Sequence, residues 1–151
     1  MTIGTVCTRN VCVSKRGAAL ASAVENMTRQ HVGAIVVVDN SGNGGLKPVG
    51  IITDRDVVCG QLSPPRDLFC MVVEDAMTSD LVTLEETCGI AEALAAITNR
   101  GVRRAPVVNQ AGDLVGIVTI DDLLTPLARD LTALAGLIRA QPAHEAPLAA
   151  L

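Results

Sequence analysis

The chain is predicted to adopt an α+β fold built from two β-α-β-β-α repeats, on three observations. The stretch Gly50-Ile51-Ile52-Thr53-Asp54-Arg55-Asp56-Val57 returns as Gly116-Ile117-Val118-Thr119-Ile120-Asp121-Asp122-Leu123. In each copy a glycine precedes β-branched residues that read as the end of a buried strand, and a threonine opens a helix whose third residue is aspartate. Laid on itself at a shift of 70 residues, the chain matches without a gap from Val6 on Ala76 to Asp39 on Asn109.

Each repeat opens with a short strand, at residues 11–13 and 81–83. Leu20, Val24 and Met27 then fall at i, i+4 and i+7, as do Ile90, Leu94 and Ile97, so each repeat carries one amphipathic helix with one buried stripe. The next strands, Ala34-Ile35-Val36-Val37-Val38-Asp39 and Ala105-Pro106-Val107-Val108-Asn109, are continuous apolar runs, which implies burial on both faces. Gly50 pairs with Gly116 at a shift of 66, so the first turn carries four extra residues, glycine-rich and expected to form a flexible hairpin insertion. Residues 1–62 form the first repeat, 63–73 a linker broken by Ser63-Pro64-Pro65, and 74–126 the second repeat. A short helical lead-in is expected at 72–77. Residues 127–151 continue as a C-terminal helix and, from 142, a loosely ordered tail. Leu123, Leu124, Leu127, Leu131, Leu134 and Ile138 keep helical spacing, with Thr125-Pro126 expected to kink or restart the helix. That stripe exceeds what its own repeat needs, so it is expected to pack on a partner subunit, in a homodimer, or on the other repeat.

Composition narrows the function. Of 151 residues, 49% are hydrophobic and 19% charged, with one Phe and neither Trp nor Tyr, so the core is built from Val, Ile, Leu, Ala and Met. A net charge of -4 supplies no basic field, and there are no aromatic platforms, which argues against nucleic acid as a partner. The apolar runs are too short to cross a membrane, and a cytoplasmic protein is expected. The five cysteines, an odd count without a C-x-x-C pair, read as small apolar side chains. A thiol redox sensor at Cys7 and Cys12, with Arg9 as the activating cation, is the alternative. Neither histidine has ligand-like spacing to a cysteine, so no metal site is expected. Asp54, Asp56, Asp121 and Asp122 are paired carboxylates, but no nucleophile elbow or P-loop accompanies them, so no catalytic residues, catalytic cofactor or enzyme activity are expected.

The strand, helix, two strands, helix order, with G-h-h-T-x-x-D at the last strand-to-helix step and an apolar-Pro-Val-Val strand before it, resembles a tandem pair of CBS domains, the Bateman module. The resemblance covers about residues 5–60 and 74–126. It implies that the repeats pack through their sheets about a pseudo-two-fold axis. It further implies two composite clefts that bind adenosine-containing ligands such as AMP, ADP, ATP or S-adenosylmethionine. One cleft would use Thr53, Arg55 and Asp56 with Thr83, Arg103, Arg104, Ala105 and Pro106. There the arginines would fork onto phosphate, Asp56 would accept from ribose hydroxyls, and backbone near Ala105 and Val82 would read the base. The other would use Thr119 and Asp122 with Val11, Cys12, Gly33 and Ala34. It is the weaker site, because Gly33 and Ala34 replace Arg103 and Arg104, and Asp121 replaces Arg55.

Each of these features has a plainer reading. T-x-x-D is also a capping box, and two arginines at a strand end are also a solvated face. On balance the chain is expected to be a regulatory sensor of adenosine-containing ligands that acts on an effector protein the sequence does not name. A non-catalytic assembly scaffold with vestigial clefts is the alternative.

Overall fold

The structure, a computed structural model, describes residues 1–62 and 65–140; two positions of the expected linker, 63 and 64, and the expected tail lie outside the described residues. Each repeat contributes one three-stranded sheet. The first holds β1 (Val13–Ser14), β2 (Ala34–Asn40) and β3 (Leu46–Thr53), and the second β4 (Leu84–Glu85), β5 (Arg104–Val108) and β6 (Leu114–Thr119). In both, the opening strand runs parallel to the middle one, which pairs antiparallel with the third. The opening strands begin at Val13 and Leu84, later than residues 11–13 and 81–83 suggested, because pairing starts only where the chain draws level with Val36 and Val107.

The expected helical stripes are present. Helix α1 (Leu20–Gln30) buries Leu20, Ala23 and Met27, and ends at His31 in the left-handed region, φ 53°; Gly101 takes that conformation after the equivalent helix at φ 65°. Helix α2 (Asp54–Leu62) follows β3, and the short α3 (Val73–Ala76) forms the expected lead-in. Helix α4 (Ile90–Asn99) buries Ile90, Ala93 and Ile97, and α5 (Ile120–Ala140) follows β6.

The two cores do not follow the order of the chain. Leu20, Met27, Ile35, Val37, Ile52 and Val57 of the first repeat are joined by Met71 and Val73, which come after the linker. Leu84, Ile90, Ile97, Val107, Val118 and Leu123 of the second are joined by Ile3 at the opposite end of the chain. Each lead-in segment thus crosses to the other repeat and pairs with its last strand. Thr8 and Ile117 exchange both backbone hydrogen bonds at 2.9 Å, and Ile51 and Thr78 exchange theirs at 3.0 and 2.8 Å.

These crossings explain the glycines that open the repeated motif. A Cβ at Gly116 would lie 2.7 Å from Cys7 Sγ and 3.0 Å from the backbone oxygen of Thr8; at Gly50 it would lie 2.5 Å from Met77 Sδ and 3.3 Å from the Thr78 oxygen. Only a residue without a side chain lets the crossing segment approach closely enough to pair.

Three expectations are corrected. The inserted hairpin is docked, since Ser41 Oγ donates to Asp113 Oδ1 at 2.6 Å, Asn43 Nδ2 to Asp113 Oδ2 at 3.4 Å, and Gly45 has no space for a Cβ beside that carboxylate. Of the kink or restart expected at Thr125-Pro126, the restart is absent, since α5 runs through Pro126 as one helix. Proline withholds one N–H, the donor to the Asp122 carbonyl four residues back. Beyond Leu127 every described residue of α5 is exposed, so the stripe does not pack on the other repeat.

Gly116→Ala is therefore expected to lower unfolding stability by about 1–3 kcal/mol, the usual cost of overpacking. Gly136→Ala, on α5 with nothing within 4 Å, should raise it by about 0.5–1 kcal/mol. Denaturant titration of both variants distinguishes them, and a neutral Gly116→Ala would contradict the close crossing.

Candidate functional site

The repeated motif forms the same hydrogen-bonded turn twice. The N–H and hydroxyl of Thr53 each donate to Asp56 Oδ2 at 2.8 Å, and the Asp56 N–H donates to Thr53 Oγ1 at 3.2 Å. Thr119 and Asp122 repeat this at 2.8, 2.8 and 3.3 Å. The capping box is therefore real in both copies, and it engages one carboxylate oxygen. Oδ1 of Asp56 has no hydrogen-bond partner among the described residues, so capping and ligand binding are compatible at the same side chain.

In the first copy the turn opens onto a cavity of about 300 Å³ between the repeats, within the range of small-molecule sites. Thr53, Asp54, Arg55 and Asp56 form one wall. Arg103, Arg104 and Pro106 face them, and Ile51, Leu81, Val82 and Val102 supply apolar surface. Strand alternation selects among the expected residues. On β5, Arg104 and Pro106 face the cavity, while Ala105 and Val107 point into the core at 0% exposure. Ala105 is thus a core side chain. Before β4, Val82 lines the cavity and Thr83 turns away, into a separate depression with Glu85, Cys88 and Glu92. Thr83 is corrected on that ground. Asp54 and Asp80 also line the cavity; the motif drew attention to the third helical residue, and neither of them matches its partner at the aligned position.

The charges in this cavity are unbalanced. Arg9, Arg16, Arg66 and Arg100 each form an ion pair, with Glu86, Asp39, Asp75 and Asp80 respectively. Arg55, Arg103 and Arg104 form none among the described residues, and neither do Arg29, Arg129 and Arg139 on helix surfaces. Arg100 holds Asp80 at 2.6 Å, so the cations on the cavity wall outnumber the carboxylates left unpaired there, Asp54 and Asp56. Three guanidinium groups beside a helix N-terminus favour an anion.

The second set of expected residues is dispersed. Thr119 and Asp122 form their turn, but Cys12 is 6% exposed within the first core and Ala34 is 8% exposed. Gly33 sits at the edge of the first cavity: a Cβ there would lie 3.8 Å from Asp54 Oδ2 and 3.9 Å from Arg104 Nη1.

Cys12 and Cys88 lack an activating environment. Burial pushes the Cys12 thiol up, and burial followed by the nearby Glu92 and Glu85 carboxylates pushes Cys88 up to about 11. Arg9 donates to Glu86 and to the Gly4 carbonyl, so the cation expected to activate Cys7 and Cys12 is engaged elsewhere. Redox sensing through Cys12 is corrected accordingly. Alkylation at neutral pH, read by mass spectrometry, is expected to mark exposed Cys59 and Cys70 first and Cys12 and Cys88 last. Cys12 reacting faster than a model thiol would contradict this.

Among the described residues no helix is long and apolar enough to cross a membrane, and no cluster of three His, Cys, Asp or Glu is arranged to hold a metal. A protein of Methanopyrus kandleri, MK0525, is 30% identical over 124 residues, 82% of this chain and 61% of its own length, so the chain spans less than two thirds of that relative. The structure of CBSX2 in complex with AMP matches with a TM-score of 0.69 at 25% identity, over 85% of this chain and 96% of that one. The CBS domain pair of MJ0100, in complex with 5-methylthioadenosine and S-adenosylmethionine, shares the fold with a TM-score of 0.73 at 19% identity, over 86% and 98% of the two chains. The CBS domain family is matched over residues 3–60 and 73–129, the two repeats whose crossing builds the cavity, and the chain belongs to that family.

Proposed function

We propose that the chain is a regulatory, non-catalytic cytoplasmic module that senses an adenosine-containing ligand, AMP, ADP or ATP, in the first cavity. S-adenosylmethionine is the other candidate of this class. The carrying observation is that Arg55, Arg103 and Arg104 converge on one inter-repeat cavity without a carboxylate partner among the described residues, across from the free oxygen of Asp56. In this reading the guanidinium groups neutralise phosphate, Asp56 Oδ1 accepts from the ribose hydroxyls, and Ile51, Leu81, Val82 and Val102 cover the base. The AMP complex of CBSX2 supports the ligand class. A ligand that touches both repeats favours the arrangement in which both touch it, and its differential affinity is what an effector protein reads.

Calorimetric titration of AMP, ADP, ATP and S-adenosylmethionine tests this. Arg103→Ala is expected to weaken nucleotide binding by about 1–3 kcal/mol, the range for losing a charged hydrogen-bond partner. Asp56→Ala should weaken it comparably and also cost about 1 kcal/mol of stability through the lost cap. The exposed Arg103 separates the two effects. Silence from all four ligands would remove the sensing claim and leave the scaffold.

A second observation favours self-assembly. Ile120, Leu124, Leu127, Leu131, Leu134 and Ile138 alternate spacings of four and three, and Leu131, Leu134, Leu137 and Ile138 are 67, 56, 65 and 68% exposed. That spacing is the seam of a helix that packs on another helix of the same pattern, which a second copy of this chain supplies. Small Ala128 and Ala135 flank the seam and leave it uncharged on that side. Leu131→Glu with Leu134→Glu is expected to convert a dimer to a monomer by light scattering while nucleotide binding is kept. A monomeric parent protein at micromolar concentration would contradict the dimer.

A further inference from the structure

The first cavity carries one carboxylate that its fold does not require. Asp54 opens α2, and its backbone N–H donates to the Gly33 carbonyl at 3.3 Å. The second copy makes the same contact, from the Ile120 N–H to the Arg103 carbonyl at 2.9 Å, with an apolar side chain in place of the acid. The cap comes from Thr53 with Asp56 in one copy and from Thr119 with Asp122 in the other, so the turn forms without a charge at this position. The Asp54 carboxylate is nevertheless held in place. Oδ1 accepts from the Arg55 N–H at 2.9 Å, and Oδ2 lies at the cavity edge, 3.8 Å from where a Cβ at Gly33 would sit. Arg104 Nη1 lies 3.9 Å from that same point, yet Asp54 forms no ion pair with it or with any other described residue. Asp80, on the same cavity, is taken by Arg100 at 2.6 Å. A fixed carboxylate without a counterion thus stands beside a guanidinium proposed to bind phosphate.

Resting on the ligand class proposed above, we infer that Asp54 is the residue that sets the phosphate count, so that the cavity takes a nucleoside monophosphate and discriminates against ADP and ATP. A monophosphate brings about 1.5 to 2 negative charges, which Arg55, Arg103 and Arg104 neutralise. Each further phosphoryl group adds charge without adding a guanidinium, and at the Gly33 edge it meets Asp54. Like charges brought together where water is partly excluded cost affinity. Gly33 is the reason no cation answers there: the equivalent position of the second repeat holds Arg103, whereas glycine leaves Asp54 Oδ2 uncovered. Selection therefore works by repelling the wrong ligand, with no added contact to the right one.

The test is calorimetric titration of the full chain with AMP, ADP and ATP in buffer free of divalent cations. The parent protein is expected to bind AMP at least about tenfold more tightly than ATP, with ADP between them. In Asp54→Asn, whose amide oxygen can still accept from the Arg55 N–H, ATP affinity should rise and the AMP-to-ATP affinity ratio should fall at least about tenfold. Gly33→Lys, which brings a cation beside Asp54 at a position where a Cβ meets only ordinary contacts, should move the ratio the same way. Added salt should narrow the AMP-to-ATP gap of the parent more than that of Asp54→Asn. Thermal melts establish that each variant is folded. ATP binding as tightly as AMP in the parent, or a ratio indifferent to both substitutions, would overturn the selection and leave the sensing claim standing. Binding of S-adenosylmethionine alone would do the same. An absence of AMP, ADP, ATP and S-adenosylmethionine binding would overturn both.

Discussion

The molecule depends on two backbone crossings, Thr8 with Ile117 and Thr78 with Ile51. Each is a pair of reciprocal hydrogen bonds between a lead-in segment and the last strand of the other repeat. Strand pairing fixes where the two sheets sit, and the apolar residues carried by each lead-in, Ile3 on one side and Met71 with Val73 on the other, seal the opposite core. Gly50 and Gly116 are the local requirement, since a side chain at either would stand between the paired backbones. Neither repeat has a complete core without a segment from beyond its own strands and helices. Independent folding of either half would leave Ile3 or Val73, both fully buried here, exposed to water.

The cavity is a consequence of the same crossings. Pairing of Thr78 with Ile51 brings the segment holding Asp80, Leu81 and Val82 beside the turn at Thr53, and β5 then presents Arg104 and Pro106 from the far side. One side of the site is a capped helix start and the other a strand entry. This is why a short motif can serve both stability and recognition: Asp56 gives one oxygen to the cap and keeps the other. The copies differ in charge more than in backbone. Cations collect where Arg55, Arg103 and Arg104 replace Asp121, Gly33 and Ala34.

Much of this is legible in the sequence, because the chain is its own comparison. The helical stripes, the apolar strands and the two turns follow from laying one half on the other, and the arginine side of the cleft follows from the resemblance to a CBS pair. What escaped was set by strand alternation and by contacts between distant segments. Thr83 sits next to the cavity residue Val82 in sequence, but alternation turns its side chain the other way; Ala105, expected to act through its backbone, keeps its side chain in the core. The exchange of lead-ins is invisible because a short apolar stretch such as the one around Ile3 does not state which core it enters. The hairpin insertion looked free because its glycines are flexible by themselves, and only Asp113, remote in the chain, gives Ser41 and Asn43 a partner. Pro126 was expected to kink or restart the helix, and the helix does not restart there, because one missing donor does not stop a helix whose other bonds are intact.

A crystal structure of the protein grown with AMP would show where the nucleotide sits. Nucleotide density is expected in the first cavity, with phosphate oxygens within hydrogen-bond distance of Arg103 and Arg55 and a ribose hydroxyl on Asp56 Oδ1. Nucleotide bound away from these residues, or an empty cavity in crystals of a protein shown to bind AMP in solution, would contradict that placement.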